Sequence, residues 1–169
     1  PKEATGASLA EPGDITTPFF ATKVWTTGKA NGIAEMRRSI QRMRAGPLGL
    51  MQVHNLVDWR THLPILREWK QEGTIRYLGV THYSHGAFGD LEKLIETEQL
   101  DFVQLPYSVV DRTAEARLLP AAQATGTAVL VMEPFGAGSL FGRVPGKPLP
   151  EWASEIDCTS WAQFFLKFI

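Results

Sequence analysis

A strand, a helix and a second strand follow one another in residues 50–81, LMQVHNLVDWRTHLPILREWKQEGTIRYLGVT. The two ends, 50–54 and 77–81, are short and mostly apolar, which is typical of buried strands. The segment between them begins at Thr61, a good N-cap residue, and repeats apolar side chains at helical spacing. These apolar residues are Leu63, Leu66 and Trp69. Together the three segments predict two parallel strands joined by a helical crossover.

The same alternation extends through the rest of the chain. The predicted strands are residues 19–25, 50–54, 77–81, 102–105 and 128–132. The predicted helices are 33–45, the segment after Thr61, the segment after Ser84, 113–125 with a kink at Pro120, and 159–169 with Thr159 as its cap. Residues 135–150 contain four glycines and three prolines, which predicts a long loop.

Five apolar strands that alternate with amphipathic helices indicate an α/β fold built from parallel βαβ units. Right-handed crossovers leave two closures, an open doubly wound sheet or a (β/α)8 TIM-barrel. No Gly-rich phosphate fingerprint opens a helix, which argues against the dinucleotide-binding open sheet. A barrel needs about 200 residues or more. We therefore expect residues 1–169 to form a single domain that is either part of a barrel, with about five of its eight units, or an unusual open sheet.

Composition excludes several classes of protein. The 169 residues carry 17 basic and 18 acidic side chains, so the formal net charge is −1 and no basic surface for nucleic acid is expected. No run of about 18 apolar residues predicts a membrane span. The one cysteine, Cys158, excludes an internal disulfide framework and a cysteine-rich zinc site.

Polar side chains recur where the predicted strands end. Because active sites of parallel α/β folds collect at the carboxyl ends of the strands, these residues are the candidates for chemistry. They are Lys23, His54, Thr81, His82, Gln104, Met132, Glu133 and the loop that follows. Each has a structural alternative, such as a lysine that reaches from a strand end to solvent. His62 and His85 are expected at the surface, and the spacing of His54, His82 and Glu133 does not favour zinc.

Several of these segments resemble the aldo/keto reductase family. The matching motifs are Ala21-Thr22-Lys23-Val24-Trp25, Leu50-Met51-Gln52-Val53-His54-Asn55, Phe102-Val103-Gln104 and the loop after Glu133-Pro134-Phe135-Gly136. The most specific is Gly73-Thr74-Ile75-Arg76-Tyr77-Leu78-Gly79-Val80-Thr81. The resemblance extends from Lys2 to Ile169.

The resemblance implies a (β/α)8 barrel that reduces aldehydes or ketones with NADPH, or less often NADH. Lys23 and His54 match two members of the family's Asp-Tyr-Lys-His tetrad. The chemistry suits those residue types. The tyrosine must protonate the carbonyl oxygen as hydride arrives, and the pKa of a free tyrosine, about 10, is too high for easy proton exchange. An adjacent lysine stabilises tyrosinate, and a histidine polarises the carbonyl.

The resemblance also implies a nicotinamide site. Thr81 and His82 stand where the family usually has Ser-Asn, which bind the carboxamide together with a glutamine that Gln104 matches. Met132 replaces an aromatic residue that stacks on the nicotinamide, and Gly49 replaces a common acidic residue. The loop implied to fold over the pyrophosphate contains Phe135, Gly136, Gly138, Ser139 and Leu140.

The family's Asp and Tyr would precede Pro1, and its last strand and 2′-phosphate site would follow Ile169. We therefore expect the 169 residues alone to be inactive. The expected partner is a small carbonyl substrate. A complete barrel would be a monomer, whereas a true fragment would associate through its open sheet edges. A cytoplasmic location is expected, with export left open because a signal would lie before Pro1.

Two other functions remain open at this stage. The chain could be a non-catalytic (β/α) module that acts in assembly or binding. It could also be a different barrel enzyme, a hydrolase or isomerase that uses His54 and Glu133 as acid and base. Turnover that depends on a nicotinamide cofactor would separate the reductase from this last alternative.

Overall fold

The computed structural model describes Lys2 and residues 18–169; the rest of the helix that the resemblance implies at 2–11 lies outside the described residues. Five strands alternate with helices and follow one another in the sheet in chain order. The described residues form two compact units, the first with Lys2, 18–81 and 100–103 and the second with 82–99 and 104–169. The strands are β1 (Ala21–Val24), β2 (Leu48–His54), β3 (Ile75–Thr81), β4 (Phe102–Pro106) and β5 (Ala128–Met132).

The first unit contains three parallel strands, β1, β2 and β3, which pair in a defined register. Lys23 lies opposite Gln52, and Gln52 lies opposite Gly79. Six of the seven residues of β2 are buried, because both faces of this strand are covered. A Cβ atom at Gly79 would lie 2.2 Å from the carbonyl oxygen of Phe102, so only glycine permits this close approach. Glycine is required at position 49 for a similar reason, because a Cβ there would lie 2.7 Å from the ring of Phe19.

Two helices pack on this part of the sheet, α1 (Lys29–Met43) and α2 (Trp59–Gln71). Of the four apolar residues at helical spacing in α1, Met36 and Met43 are buried and Ile33 and Ile40 are half-buried. The predicted start of α2 is wrong, since the helix begins before Thr61 and its N-cap is Asp58, in a left-handed conformation. The apolar residues predicted for α2 are all buried: Leu63, Leu66 and Trp69.

The second unit contains α3 (Phe88–Thr97), α4 (Leu118–Thr125) and strand β5. Ser84 caps a short 3-10 turn, 85–87, that leads into α3, and its hydroxyl accepts a hydrogen bond from the Gly86 N–H. The single kinked helix predicted over 113–125 is wrong. A 3-10 turn over 113–116 is followed by α4, so the break precedes Pro120, which lies in the first turn where a missing N–H costs little.

The last predicted helix is shorter than expected and has a different cap. Helix α5 covers Trp161–Leu166, and the hydroxyl of Ser160, not Thr159, accepts a hydrogen bond from the Gln163 N–H. The predicted loop over 135–150 contains one 3-10 turn, Phe141–Arg143, and another turn follows at Glu151–Ile156. Cys158 is buried, as expected for a small apolar side chain. Within residues 18–169, no helix combines the length and the apolar character that a membrane crossing requires.

Candidate active site

Polar side chains of the first unit share one face of the sheet. Because successive side chains of a strand alternate between faces, Lys23 and its neighbour Gln52 point to the same side, and His54 follows two residues after Gln52. His54 in turn lies opposite Thr81. Strand spacing and rise place the Cα atoms of Lys23 and His54 about 8 Å apart, which their side chains can span. The predicted residues of the first unit are thus brought together.

Lys23 is half-buried near the end of β1. Burial lowers the pKa of its ammonium below the ordinary value of 10.5, because desolvation disfavours the charged form. This environment differs from that of a lysine that simply reaches to solvent. A negatively charged or hydrogen-bonding group placed beside it would be stabilised by the poorly solvated charge.

The ring of His54 contacts an aromatic residue that sequence analysis did not single out. The indole of Trp25 lies with its centroid 5.4 Å from that of His54, at an interplanar angle of 87°. Trp25 follows Lys23 by two residues, and that spacing could have identified it, because it continues the same face of the strand. The Trp25 side chain is 63% exposed, which is unusual for so large an aromatic group and leaves one side of it open.

Thr81 presents a buried hydroxyl at the end of β3. The residue is 1% exposed, and its Oγ1 has no hydrogen-bond partner among the residues that the structure describes. A buried polar atom without a partner costs about 1–3 kcal/mol, so its presence needs a reason. A bound amide group would satisfy it. Gln52 is similarly buried, and its Nε2 donates to the carbonyl oxygen of Val80 at 3.4 Å.

The prediction that His62 lies at the surface is wrong. Its side chain is fully buried, and its Nε2 lies 2.7 Å from the carbonyl oxygen of Thr26. A carbonyl oxygen can only accept, so Nε2 carries the proton. His85, by contrast, is exposed as expected, and its Nε2 contacts the carboxylate of Asp111 at 2.8 Å.

In the second unit, the tautomer of His82 is set by the backbone. Its Nδ1 accepts a hydrogen bond from the N–H of Ser84 at 3.0 Å, so in the neutral ring Nε2 carries the hydrogen and can donate. The backbone N–H of His82 donates to the carbonyl oxygen of Gln104 at 3.2 Å, which ties these two predicted residues together. The His82 ring also stacks on Tyr83, with centroids 5.3 Å apart.

The end of β5 leads into a segment of tight turns. Met132 is half-buried, and Glu133, which follows it, is exposed with a φ of 57°. Gly136, Ala137 and Gly138 also adopt positive φ, as tight turns require. A Cβ at Gly136 would lie 2.9 Å from the hydroxyl of Ser139, so the segment is closely packed on itself.

The amide groups of this loop are largely engaged within it. The N–H of Gly136 donates to the carbonyl oxygen of Glu133 at 2.7 Å, and the N–H groups of Gly138, Ser139 and Leu140 also donate to loop carbonyl oxygens. Leu140 is 3% exposed, so its side chain is part of the core. In this conformation the half-buried Phe135 and the exposed Ser139 are the predicted loop residues whose side chains remain accessible.

The tyrosine that follows β4, Tyr107, does not resemble an activated acid. The Tyr107 hydroxyl donates to Glu115 at 2.7 Å, and burial followed by that carboxylate raises the pKa of Tyr107 above 10. Tyr83 is largely exposed beside His82. Across residues 18–169, no three His, Cys, Asp or Glu side chains are grouped as metal ligands would be.

The chain is similar to known proteins of one family. The model of the aldo/keto reductase family matches residues 1–157. The NADH-specific methylglyoxal reductase of Escherichia coli is 27% identical over 126 residues, which cover 69% of this chain and 36% of that protein. The aldo-keto reductase YhdN of Bacillus subtilis is 26% identical over 92% of this chain and 49% of its own length. The chain therefore spans about half or less of these relatives.

Solved structures show the same relationship. The aldo-keto reductase AKR11C1 of Bacillus halodurans superposes with a TM-score of 0.68 at 26% identity, over 89% of this chain and 50% of that one. An aldo-keto reductase of Klebsiella pneumoniae, solved with NADPH, gives a TM-score of 0.74 over 99% and 60%; at 19% identity this likeness concerns the fold alone. The five strands thus correspond to part of an aldo/keto reductase TIM barrel, and the chain belongs to the aldo/keto reductase family.

Proposed function

We propose that the protein containing this chain reduces an aldehyde or ketone to an alcohol with a nicotinamide cofactor. The observation that carries the proposal is the row of polar side chains on one face at the carboxyl ends of β1–β3. In this row Lys23 is poorly solvated, and His54 and Thr81 lie opposite each other. The resemblance assigns the first two to the family tetrad, and the substrate is a small carbonyl compound.

Lys23 would act through its charge. Burial lowers the pKa of its ammonium and removes water from around it, so the charged form is weakly screened. Such a charge stabilises the anion of a neighbouring acid and makes proton donation to a carbonyl oxygen easier. Tyr107, whose pKa is raised and whose hydroxyl is engaged by Glu115, does not offer that acid.

His54 would orient and polarise the carbonyl oxygen. An imidazole N–H is a hydrogen-bond donor, and a donor aimed at developing negative charge is worth several kcal/mol when it is preorganised. The indole of Trp25, packed edge-on against the ring, restricts the orientation of His54 and supplies an apolar surface beside it. This surface favours an apolar group next to the carbonyl.

The resemblance assigns Thr81, His82 and Gln104 to the binding of a nicotinamide carboxamide. The buried Oγ1 of Thr81 needs a partner, and the Nε2–H of His82 can donate to an amide oxygen. The carbonyl oxygen of Gln104 accepts a hydrogen bond from the backbone N–H of His82, and its side chain carries an amide. A bound nicotinamide would supply the hydride. Both NADPH and NADH are proposed, since the related Escherichia coli enzyme is NADH-specific.

The test is a lysine substitution in the full-length protein. Lys23→Met should lower the turnover of a simple aldehyde at least about 100-fold, because the acid loses its electrostatic support. Lys29→Met, an exposed lysine at the start of α1, is the matched control and should leave turnover unchanged. Oxidation of NADPH and of NADH is followed by absorbance, with melting curves to confirm folding. Normal turnover by Lys23→Met, or none by the unaltered protein, would contradict the proposal.

A further inference from the structure

The loop between β1 and α1 is held by an aspartate from a distant part of the sequence. Asp58 accepts a hydrogen bond from the backbone N–H of Gly28 at 2.7 Å through Oδ2 and from the Thr61 hydroxyl at 2.7 Å through Oδ1. The residue is the N-cap of α2, yet its side chain makes no capping hydrogen bond to the helix backbone. Its carboxylate therefore joins the loop 26–28 to the Thr61 side chain in the first turn of α2 and caps no backbone N–H of that helix.

A buried histidine holds the same loop one turn further along α2. The Nε2–H of His62 donates to the carbonyl oxygen of Thr26, at 2.7 Å. Gly32 of α1 allows the ring to lie there, because a Cβ at Gly32 would be 2.4 Å from the His62 Cε1. Asp58 and His62 therefore hold a backbone donor and a backbone acceptor two residues apart.

This loop continues directly from the residues of the proposed site. Trp25 immediately precedes the loop, and the backbone N–H of Trp25 is in turn held by a carboxylate oxygen of Glu35 at 3.2 Å. The indole lies against His54, which ends β2 four residues before Asp58. The segment that carries His54 and the segment that carries Trp25 are thus linked twice, once through the rings and once through Asp58 and His62.

Backbone strain in the connecting segment supports a role beyond packing. Asn55, Leu56 and Asp58 all have positive φ, at 51°, 55° and 50°. Left-handed conformations are unfavourable for residues other than glycine, and such strain concentrates near functional sites. From this turn the Asp58 carboxylate reaches Gly28 with one oxygen and Thr61 with the other.

From these contacts we infer that Asp58 and His62 are positioning residues that hold the loop 26–28 and so keep Trp25 against His54. The inference deepens the proposed function and rests on it for the link to catalysis. We call the hydrogen bonds of Asp58 and His62 to the loop 26–28 the clamp. Loss of the clamp would leave cofactor binding intact and would change the position of the carbonyl substrate. A displacement of about 1 Å at such a site can cost up to 100-fold in rate.

The test uses two aspartates that share one backbone conformation. Asp58→Gly removes both side-chain hydrogen bonds without strain, because glycine accepts a φ of 50°. Asp157→Gly is the matched control, since Asp157 has a φ of 55° and an exposed side chain. His62→Gln keeps an N–H donor, and His62→Leu removes it. All four are made in the full-length protein, and melting curves establish that each variant folds.

Four measurements test whether Asp58 and His62 hold the loop 26–28 and position Trp25. In Asp58→Gly, hydrogen exchange of the amides at 25–32 should be about tenfold faster, and the indole N–H resonance of Trp25, assigned with Trp25→Phe, should shift. The value of kcat/KM for an aldehyde should fall about tenfold through KM, while the Kd for NADPH stays unchanged. Asp157→Gly should behave as the unaltered protein does, and His62→Gln should retain most of the activity that His62→Leu loses.

The outcomes separate this inference from the proposed function. Unchanged exchange and an unchanged indole resonance in Asp58→Gly would show that Asp58 does not hold the loop 26–28 and would overturn the inference. Faster exchange with unchanged kcat and KM, or an equal loss of NADPH affinity, would overturn the positioning role. If the unaltered protein shows no turnover, the proposed function fails, and the exchange and resonance data still decide whether Asp58 holds Trp25. If His62→Leu does not fold, Asp58→Gly alone decides.

Discussion

Strand β2 in the first unit and strand β5 in the second contain residues of the same character but differ in how they are buried. Six of the seven residues of β2 are buried, whereas the five residues of β5 are half-buried or exposed. Both segments are apolar, so hydrophobicity does not explain the difference. The number of covered faces does, because a strand packed on both sides buries every side chain.

The site residues of the two units are supported in correspondingly different ways. Lys23, His54 and Thr81 lie on strands whose register is fixed by the neighbouring strands. The loop 133–140 is shaped instead by positive-φ turns and by hydrogen bonds within itself. Groups on packed strands keep their geometry, whereas loops adapt to what they bind. The candidate catalytic residues therefore belong to the rigid part and the candidate cofactor loop to the adaptable part.

The largest expected effect compares one substitution in the two strands. Leu50→Ala in β2 removes a fully buried side chain and should lower the free energy of unfolding by about 2–5 kcal/mol. Leu130→Ala in β5 removes a half-buried one and should cost about 1 kcal/mol. Urea unfolding of the 169-residue chain measures both. Equal losses would show that β5 is as well packed as β2 and would break the comparison.

A second pair of substitutions compares a glycine required by a close contact, Gly79, with a glycine required by its positive φ, Gly138. Gly79→Ala should destabilise the protein by about 1–3 kcal/mol or more, because the new Cβ meets the Phe102 carbonyl oxygen and forces the strands apart. Gly138→Ala meets no atom within 4 Å and should cost about 1–2 kcal/mol through its φ of 88° alone. Hydrogen exchange adds a distinction, since only Gly79→Ala should speed exchange in β3. Slow exchange there in both variants would refute the steric explanation.

The smallest effect concerns the charge of Lys23. Its folded-state pKa is lowered by burial, so the folded protein carries a penalty below that pKa which disappears as the pH rises toward 10.5. Lys23→Met should therefore be slightly more stable at pH 7, by less than about 1 kcal/mol because solvent screens a half-exposed group. The gain should shrink as the pH rises through the lowered pKa toward 10.5. Lys29→Met is the control, and a constant gain across this range would contradict the desolvation argument.

Much of the fold could be predicted from local patterns, since five apolar segments at a regular spacing have few alternatives to parallel βαβ units. The predicted strands all form, with ends that differ by one or two residues. Helix ends were less predictable. Thr61 and Thr159 are plausible caps, but Asp58 and Ser160 take these positions because the preceding turns bring them there.

The candidate site divides in the same way. Lys23 and His54 could be identified because polar residues at the ends of apolar strands stand out, and Trp25 could have been found from its spacing. His62 could not, because a histidine near the start of an amphipathic helix gives no sign that it will be buried. Its burial depends on Gly32, thirty residues earlier, which leaves room for the ring.

By itself the sequence determined the order of strands and helices, the family, and the strand ends at which polar side chains lie. These follow from periodicity and from short motifs, which are local properties of the chain. The tertiary structure decided which of those side chains share a face, which are buried, and which loop is held by Asp58 and His62. These depend on strand register and on close approaches such as that of Gly79 to Phe102, contacts between residues distant in the chain that only packing can specify.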